Sequence, residues 1–214
     1  MYLTRFASIV LGMFYWSAHA HGVPQFNILD IDGQVEISFD SVDWEALDRP
    51  RQLQSGVWIK TSRTGAALLL LPDETQTRIG ASTTLRLQAA ASEDESISMD
   101  LTRGKLWSKT NRKKLKLEIR VPKATASVRG TEWLIDVLKT GSTEISVLEG
   151  TVSLTNAIGG NEDVSFGQKG EIDSSGRISV TKLVNPENAL QFIYPFFPEP
   201  LTYRPAGSIP GWAS

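Results

Sequence analysis

The sequence predicts an all-β protein: one domain of many short strands, arranged as a sandwich, a jelly roll or a flattened solenoid-like stack, followed by a short C-terminal helix and a Pro/aromatic-rich tail. Three observations carry this expectation. In residues 114–121, Leu115, Leu117, Ile119 and Val121 alternate strictly with Lys114, Lys116, Glu118 and Arg120, a period of two that places one side-chain set inward and the other in solvent. Short apolar runs separated by turn-forming residues recur from residue 33 to residue 183 at roughly 8–12-residue spacing, as in all-β folds. No helical period interrupts the series, so alternating βαβ units are not expected.

Taken in order, Asp30, Ile31, Asp32 and Gly33 read as a polar turn ahead of the first strand. Val35, Ile37 and Phe39 then alternate with Glu36 and Ser38, and Trp44, Glu45, Ala46 and Leu47 could make one helical turn. The continuous apolar run at residues 68–71 suits a strand covered on both faces, and Pro72 and Asp73 close it. Strands are expected at residues 83–87, 97–101 and 105–107, with Gly104 as a turn between the last two. Pro122 ends the alternating strand, because proline has no N–H for the ladder. Trp133, Ile135 and Val137 share one face of the next strand, and Ile145 and Val147 lie on another that breaks at Glu149 and Gly150. Val152 with Leu154, Val164 with Phe166, and Ile178 with Val180 complete the series. Further turn signals sit at Gly65, Gly80, Thr140–Gly141–Ser142, Gly159–Gly160–Asn161 and residues 173–176.

The ends differ in character. Arg5, the apolar stretch of residues 6–16, and the small residues Ala18 and Ala20 form a secretory leader over residues 1–20. The stretch is shorter than the ~20 residues a spanning helix needs, so cleavage and no remaining transmembrane segment are expected. The protein is then periplasmic or secreted, with a β domain over residues 21–183 and the tail over 184–214. Asn185, Pro186 and Glu187 combine a helix cap, a proline at the first helical position and an acid in the first turn. Pro195 stops that helix near Tyr194. Beyond it, Phe196, Phe197, Tyr203 and Trp212 alternate with prolines and suit a segment docked over the domain surface.

Composition narrows the chemistry. The 214 residues contain no cysteine, so stability comes from burial and sheet hydrogen bonds, and thiol redox chemistry, cysteine nucleophiles and thiolate metal sites are excluded. The two histidines are His19 and His21. The first lies in the leader and the second would be a terminal residue with nothing to orient it, which leaves no basis for a Ser-His-Asp triad. His21 alone cannot give copper its nitrogen-rich set, and residues 30–41 lack the closing acid of a calcium loop, since position 41 is Ser41. Gly159 and Gly160 open no helix and so form no phosphate cradle. No catalytic residue, cofactor site or metal site is nominated.

Charge is uneven although the net is −2. Lys109, Arg112, Lys113, Lys114 and Lys116 form a basic segment. It reads either as a solvated face or as a contact surface for an anionic glycan or an acidic envelope protein. Nucleic acid is not expected, because the overall balance is slightly acidic and no recognition helix accompanies the cluster.

The runs around Val128–Arg129–Gly130–Thr131 with Trp133, and Glu149–Gly150–Thr151–Val152, followed by the turn Gly167–Gln168–Lys169–Gly170, resemble the FecR-type extracytoplasmic domain. The likeness extends over roughly residues 33–173 and includes Gly56–Val57–Trp58–Ile59–Lys60–Thr61 and Arg103–Gly104–Lys105–Leu106–Trp107. It implies an all-β module of the cell envelope that binds or senses, linked to signal transduction. Arg129, Gly130, Thr131, Trp133, Glu149 and Gly150 are read as a structural signature, with the two glycines at positions of positive φ or close strand approach. Arg129 would bond turn carbonyls or pair with Glu132 or Glu149. In family members that regulate sigma factors a cytoplasmic segment precedes the membrane helix; with a leader starting at Met1, direct sigma-factor control is not expected here. The function expected is a non-enzymatic binding, sensing or scaffolding module of undetermined oligomeric state. The alternatives are a carbohydrate-active enzyme or an envelope-polysaccharide-associated structural subunit.

Overall fold

The structure, a computed structural model, describes residues 25–88, 96–110 and 117–184. Among these residues there are seventeen strands and no helix. They are β1 (Phe26–Asp32), β2 (Val35–Ser38), β3 (Glu45–Ala46), β4 (Arg51–Leu53), β5 (Trp58–Thr61), β6 (Ala66–Leu70), β7 (Gln76–Ile79), β8 (Thr84–Gln88) and β9 (Ile97–Lys109). The series continues with β10 (Leu117–Val121), β11 (Ala124–Val128), β12 (Glu132–Val137), β13 (Thr143–Glu149), β14 (Thr151–Asn156), β15 (Asn161–Ser165), β16 (Gln168–Ile172) and β17 (Ile178–Lys182).

The strands form two layers that share one member. Sheet A runs β4-β1-β6-β7-β9-β12-β13-β16-β17. Sheet B runs β3-β2-β5-β8-β9-β10-β11-β14-β15. Strand β9 is central to both: its first half, through Arg103, pairs in sheet B, and its second half, from Gly104, pairs in sheet A. Neighbours are antiparallel except β9 and β10. After β9 the chain lays down hairpins alternately, β10–β11 in B, β12–β13 in A, β14–β15 in B and β16–β17 in A. The result is an open sandwich wound like a flattened solenoid, with edges at β4, β17, β3 and β15.

The period-two pattern explains the core. Ala67, Ile79, Leu106, Ile135 and Ile145 lie in one cross-strand row of sheet A and are buried. Ile37, Ile59 and Leu85 face them from sheet B. Trp133, Ile135 and Val137 share the inward face as expected. Burying apolar side chains of this size contributes ~1.5–3 kcal/mol each. The Trp133 indole N–H has no hydrogen-bond partner, so this ring is held by packing alone.

Several expectations are corrected. Asp30, Ile31 and Asp32 belong to β1 rather than to a turn, and the turn is Gly33 at φ +63°. Residues 97–109 form one strand bent at Gly104 (φ +93°) instead of two strands and a turn. There an added Cβ would stand 2.5 Å from the Thr83 Cα, so only glycine lets the strand pass from one layer to the other. Glu45 and Ala46 form β3, not a helical turn. Phe39 and Phe166 lie beyond the ends of β2 and β15 and are exposed rather than inward; alternation fails once the ladder stops holding the backbone extended. The helix expected from Asn185 lies outside the described residues.

Candidate functional site

The six signature residues gather at one corner between the layers. The connection from β11 to β12 turns at Gly130 (φ +66°), and that from β13 to β14 turns at Gly150 (φ +79°). The two corners stack so closely that a Cβ on Gly150 would lie 2.7 Å from the Gly130 carbonyl oxygen. Thr131 Oγ1 donates to the Thr151 carbonyl at 2.9 Å. Thr131 N–H in turn donates to Thr110 Oγ1 at 2.7 Å, whose hydroxyl reaches the Thr131 carbonyl at 3.2 Å. A parallel arrangement holds the earlier half: Thr61 Oγ1 donates to the Gly80 carbonyl and accepts from Thr83 N–H, while Thr83 Oγ1 accepts from Lys105 N–H. These threonines are buried, and their hydroxyls satisfy backbone groups that the crossings take out of the ladders. Arg129 is exposed, and Glu132 is engaged by Lys109 Nζ at 2.9 Å and Trp107 Nε1 at 3.2 Å. The arrangement builds a corner.

Of the basic segment, the structure describes Lys109; Arg112, Lys113, Lys114 and Lys116 lie outside the described residues. Lys109 is half-buried against Glu132, so its charge serves an ion pair on the outer face of sheet A.

A different surface is assembled on the outer face of sheet B. Ser38, Trp58, Arg86, Asp100 and Arg120 form one cross-strand row through β2, β5, β8, β9 and β10. The Arg86 guanidinium lies 5.7 Å from the centre of the Trp58 ring, and its Nε donates to the Gly56 carbonyl at 3.3 Å. One step along the strand, Lys60 Nζ sits 4.9 Å from the Trp44 ring and 3.3 Å from Glu36. Arg120 Nη1 lies 3.3 Å from Asp100 and from Gln88 Oε1, and Gln88 Nε2 donates to Asp100 at 2.6 Å. Lys60 and Arg120 thus face carboxylates, whereas Arg86 is held by a ring and a carbonyl.

Beside this row the loop from β2 to β3 presents Phe39 and Val42, 62% and 74% exposed. The loop is braced by Asp40, whose Oδ1 accepts from Val42 N–H, Asp43 N–H and the Ser38 hydroxyl. Those hydrogen bonds hold the Asp40 carboxyl below the usual carboxylate range. Two tryptophans, an arginine set over one of their rings and two exposed apolar side chains form a surface that contains the Trp and Arg enriched at binding hot spots. The sequence signal was present in the Trp58/Lys60 and Arg86/Gln88 alternation, opposite in parity to the buried Ile59 and Leu85.

Asp40 and Asp173 are both pulled down, Asp173 by the Ser175 hydroxyl and the Arg177 N–H, the opposite direction from the one a general acid needs. Among the described residues no cluster of three or more His, Cys, Asp or Glu could hold a metal ion, and no helix is long and apolar enough to cross a membrane.

Comparison with known proteins agrees with the architecture. No curated protein sequence matches this chain. Two crystal structures, at 1.65 and 2.50 Å, of a protein provisionally described as an anti-sigma factor from Parabacteroides distasonis ATCC 8503 share the fold. Their TM-scores are 0.55 and 0.54 at 14% and 15% identity. The match covers 63% of this chain and 63% of the first of those chains, and 62% of each for the second. The family model described as FecR protein matches residues 58–153, a narrower span than the motif likeness suggested, running from β5 into β14. Residues 58–153 of this chain are thus similar to the FecR protein family.

Proposed function

We propose that the chain is an exported, non-enzymatic FecR-domain module that recognises an acidic protein or anionic glycan in the cell envelope and contributes to signalling there. The observation that carries this reading is the Trp58–Arg86 pair on the exposed face of the domain. A planar ring offers apolar contact to a sugar face or a side chain, and the guanidinium beside it offers paired donors to a carboxylate or sulfate. Phe39, Val42 and Trp44 extend the apolar part of the contact. The leader-like residues 1–20 support export, and the fold shared with anti-sigma factors supports a place in envelope signalling.

The test has two parts. Cell fractionation with N-terminal sequencing should find the protein outside the cytoplasm, starting at His21; cytoplasmic protein starting near Met1 would contradict export. Immobilised full-length protein should then retain a defined envelope component, and Arg86→Ala or Trp58→Ala should each weaken retention about 10-fold or more, as loss of a hot-spot residue does. Lys105→Ala, on the opposite sheet, should leave it unchanged. Equal retention by all variants would remove this face from the account, and turnover of a glycan by purified protein would replace binding with catalysis.

A further inference from the structure

The outer face of sheet A contains three neighbouring side chains, in the middle of one cross-strand row, that should be in solvent and are not. Asp30, Leu68, Arg78, Trp107, Leu134, Ser146, Lys169 and Thr181 follow one another across β1, β6, β7, β9, β12, β13, β16 and β17. Their parity is opposite to the core row through Ala67, Ile79, Leu106 and Ile135. Yet Leu68, Arg78 and Trp107 are 5%, 3% and 3% exposed, and burial pulls the Arg78 guanidinium down to about 10 despite the nearby Asp30 charge. Every described strand belongs to one of the two sheets, so none of them lies over this face. Two ion pairs frame the strip, Lys105–Asp136 at 3.1 Å on one side and Lys109–Glu132 at 2.9 Å on the other. Between them Trp107 and Leu134 form an apolar floor.

We propose that this strip is the docking site of the chain's own C-terminal segment, residues 185–214, which closes over Leu68, Arg78, Trp107 and Leu134. The segment leaves the domain in the right place, because Val184 follows β17, the edge of the same sheet, and Thr181 is the last residue of the row. Six strand intervals separate β17 from β6, roughly 29 Å at ~4.8 Å each, while thirty residues reach about three times that when extended. The chemistry is complementary. Phe192, Ile193, Tyr194, Phe196 and Phe197 supply apolar and ring surface, and Glu187 and Glu199 supply carboxylates for a guanidinium held out of water. Competing segments fit poorly: residues 111–116 carry Arg112, Lys113, Lys114 and Lys116, like in charge to Arg78, and residues 89–95 join two strand ends of sheet B.

Hydroxyl-radical oxidation of the full chain, read residue by residue, tests the proposal. Trp107 should oxidise at the slow rate of the core residue Trp133, and the paired tail substitutions Phe192→Asp and Phe196→Asp should raise the Trp107 rate at least 5-fold while leaving Trp133 unchanged. These substitutions lie outside the sandwich, so loss of the fold does not confound the readout. Wild-type Trp107 oxidising as fast as Trp44 would overturn the proposal, as would tail variants that leave Trp107 protected. Protection that grows with protein concentration would assign the cover to a second copy, and protection lost on removing residues 1–24 would assign it to the N-terminal segment. Either result overturns the tail as occupant.

Discussion

At the scale of single residues, the fold depends on glycines and threonines more than on any charged group. Gly150 sits at positive φ with the Gly130 carbonyl where a side chain would begin, so Gly150→Ala combines backbone strain with a backbone clash. A loss of at least ~2 kcal/mol is expected, read as the shift in urea midpoint at unchanged slope. Thr110→Val should cost about 1–3 kcal/mol, because it leaves the buried Thr131 N–H without its acceptor. Trp133→Phe should be milder than a typical large-to-small core substitution, since the indole N–H it removes has no partner to lose. Asp40 makes a pH-dependent contribution. Its carboxyl is held below the ordinary value of 3.8, so its stabilisation is present above that value and is lost as pH falls through the lower folded value. Asp40→Asn should therefore be less stable than wild type at pH 7, and urea titrations should show the gap closing toward pH 2.5.

At the scale of elements, the sequence made strands legible where apolar and polar residues alternate cleanly, and left β7 and β11, which lack large alternating side chains, unmarked. Leu117, Ile119 and Val121 in β10, and Trp133, Ile135 and Val137 in β12, obey the alternation because each strand has one face on the core and one outward. The bend in β9 was not legible. Gly104 carries the same signal in a turn as in a strand that changes layers, and only its contact with Thr83 distinguishes them. Phe39 misled for the opposite reason: its place in the alternation was right, but β2 had already ended at Ser38. The outer face of sheet B was half visible. Trp58 and Lys60 could be placed on the outward face, but the pairing of Trp58 with Arg86 depends on a register between β5 and β8, distant in sequence. Gly130 and Gly150 take the positive φ that their place between strands suggested, and Arg129 beside them is exposed.

At the scale of the whole molecule, β9 makes the two sheets mechanically one body. Each layer has β9 at its centre, so neither can unfold while the other keeps its middle strand. Tryptophan fluorescence and far-ultraviolet circular dichroism should therefore report coincident urea transitions, as two-state unfolding requires. A split transition would mean that the halves before and after β9 are separate units. The two outer faces differ: sheet B carries Trp58 with Arg86 over its ring, while sheet A keeps Trp107 and Arg78 buried.

The most direct measurement of the central claim is calorimetric titration of the retained envelope component into full-length wild-type protein, Arg86→Ala and Trp58→Ala. Recognition by the outer face of sheet B predicts a salt-sensitive affinity for wild type that falls about 10-fold or more in both variants. Identical affinities across the three proteins would contradict it.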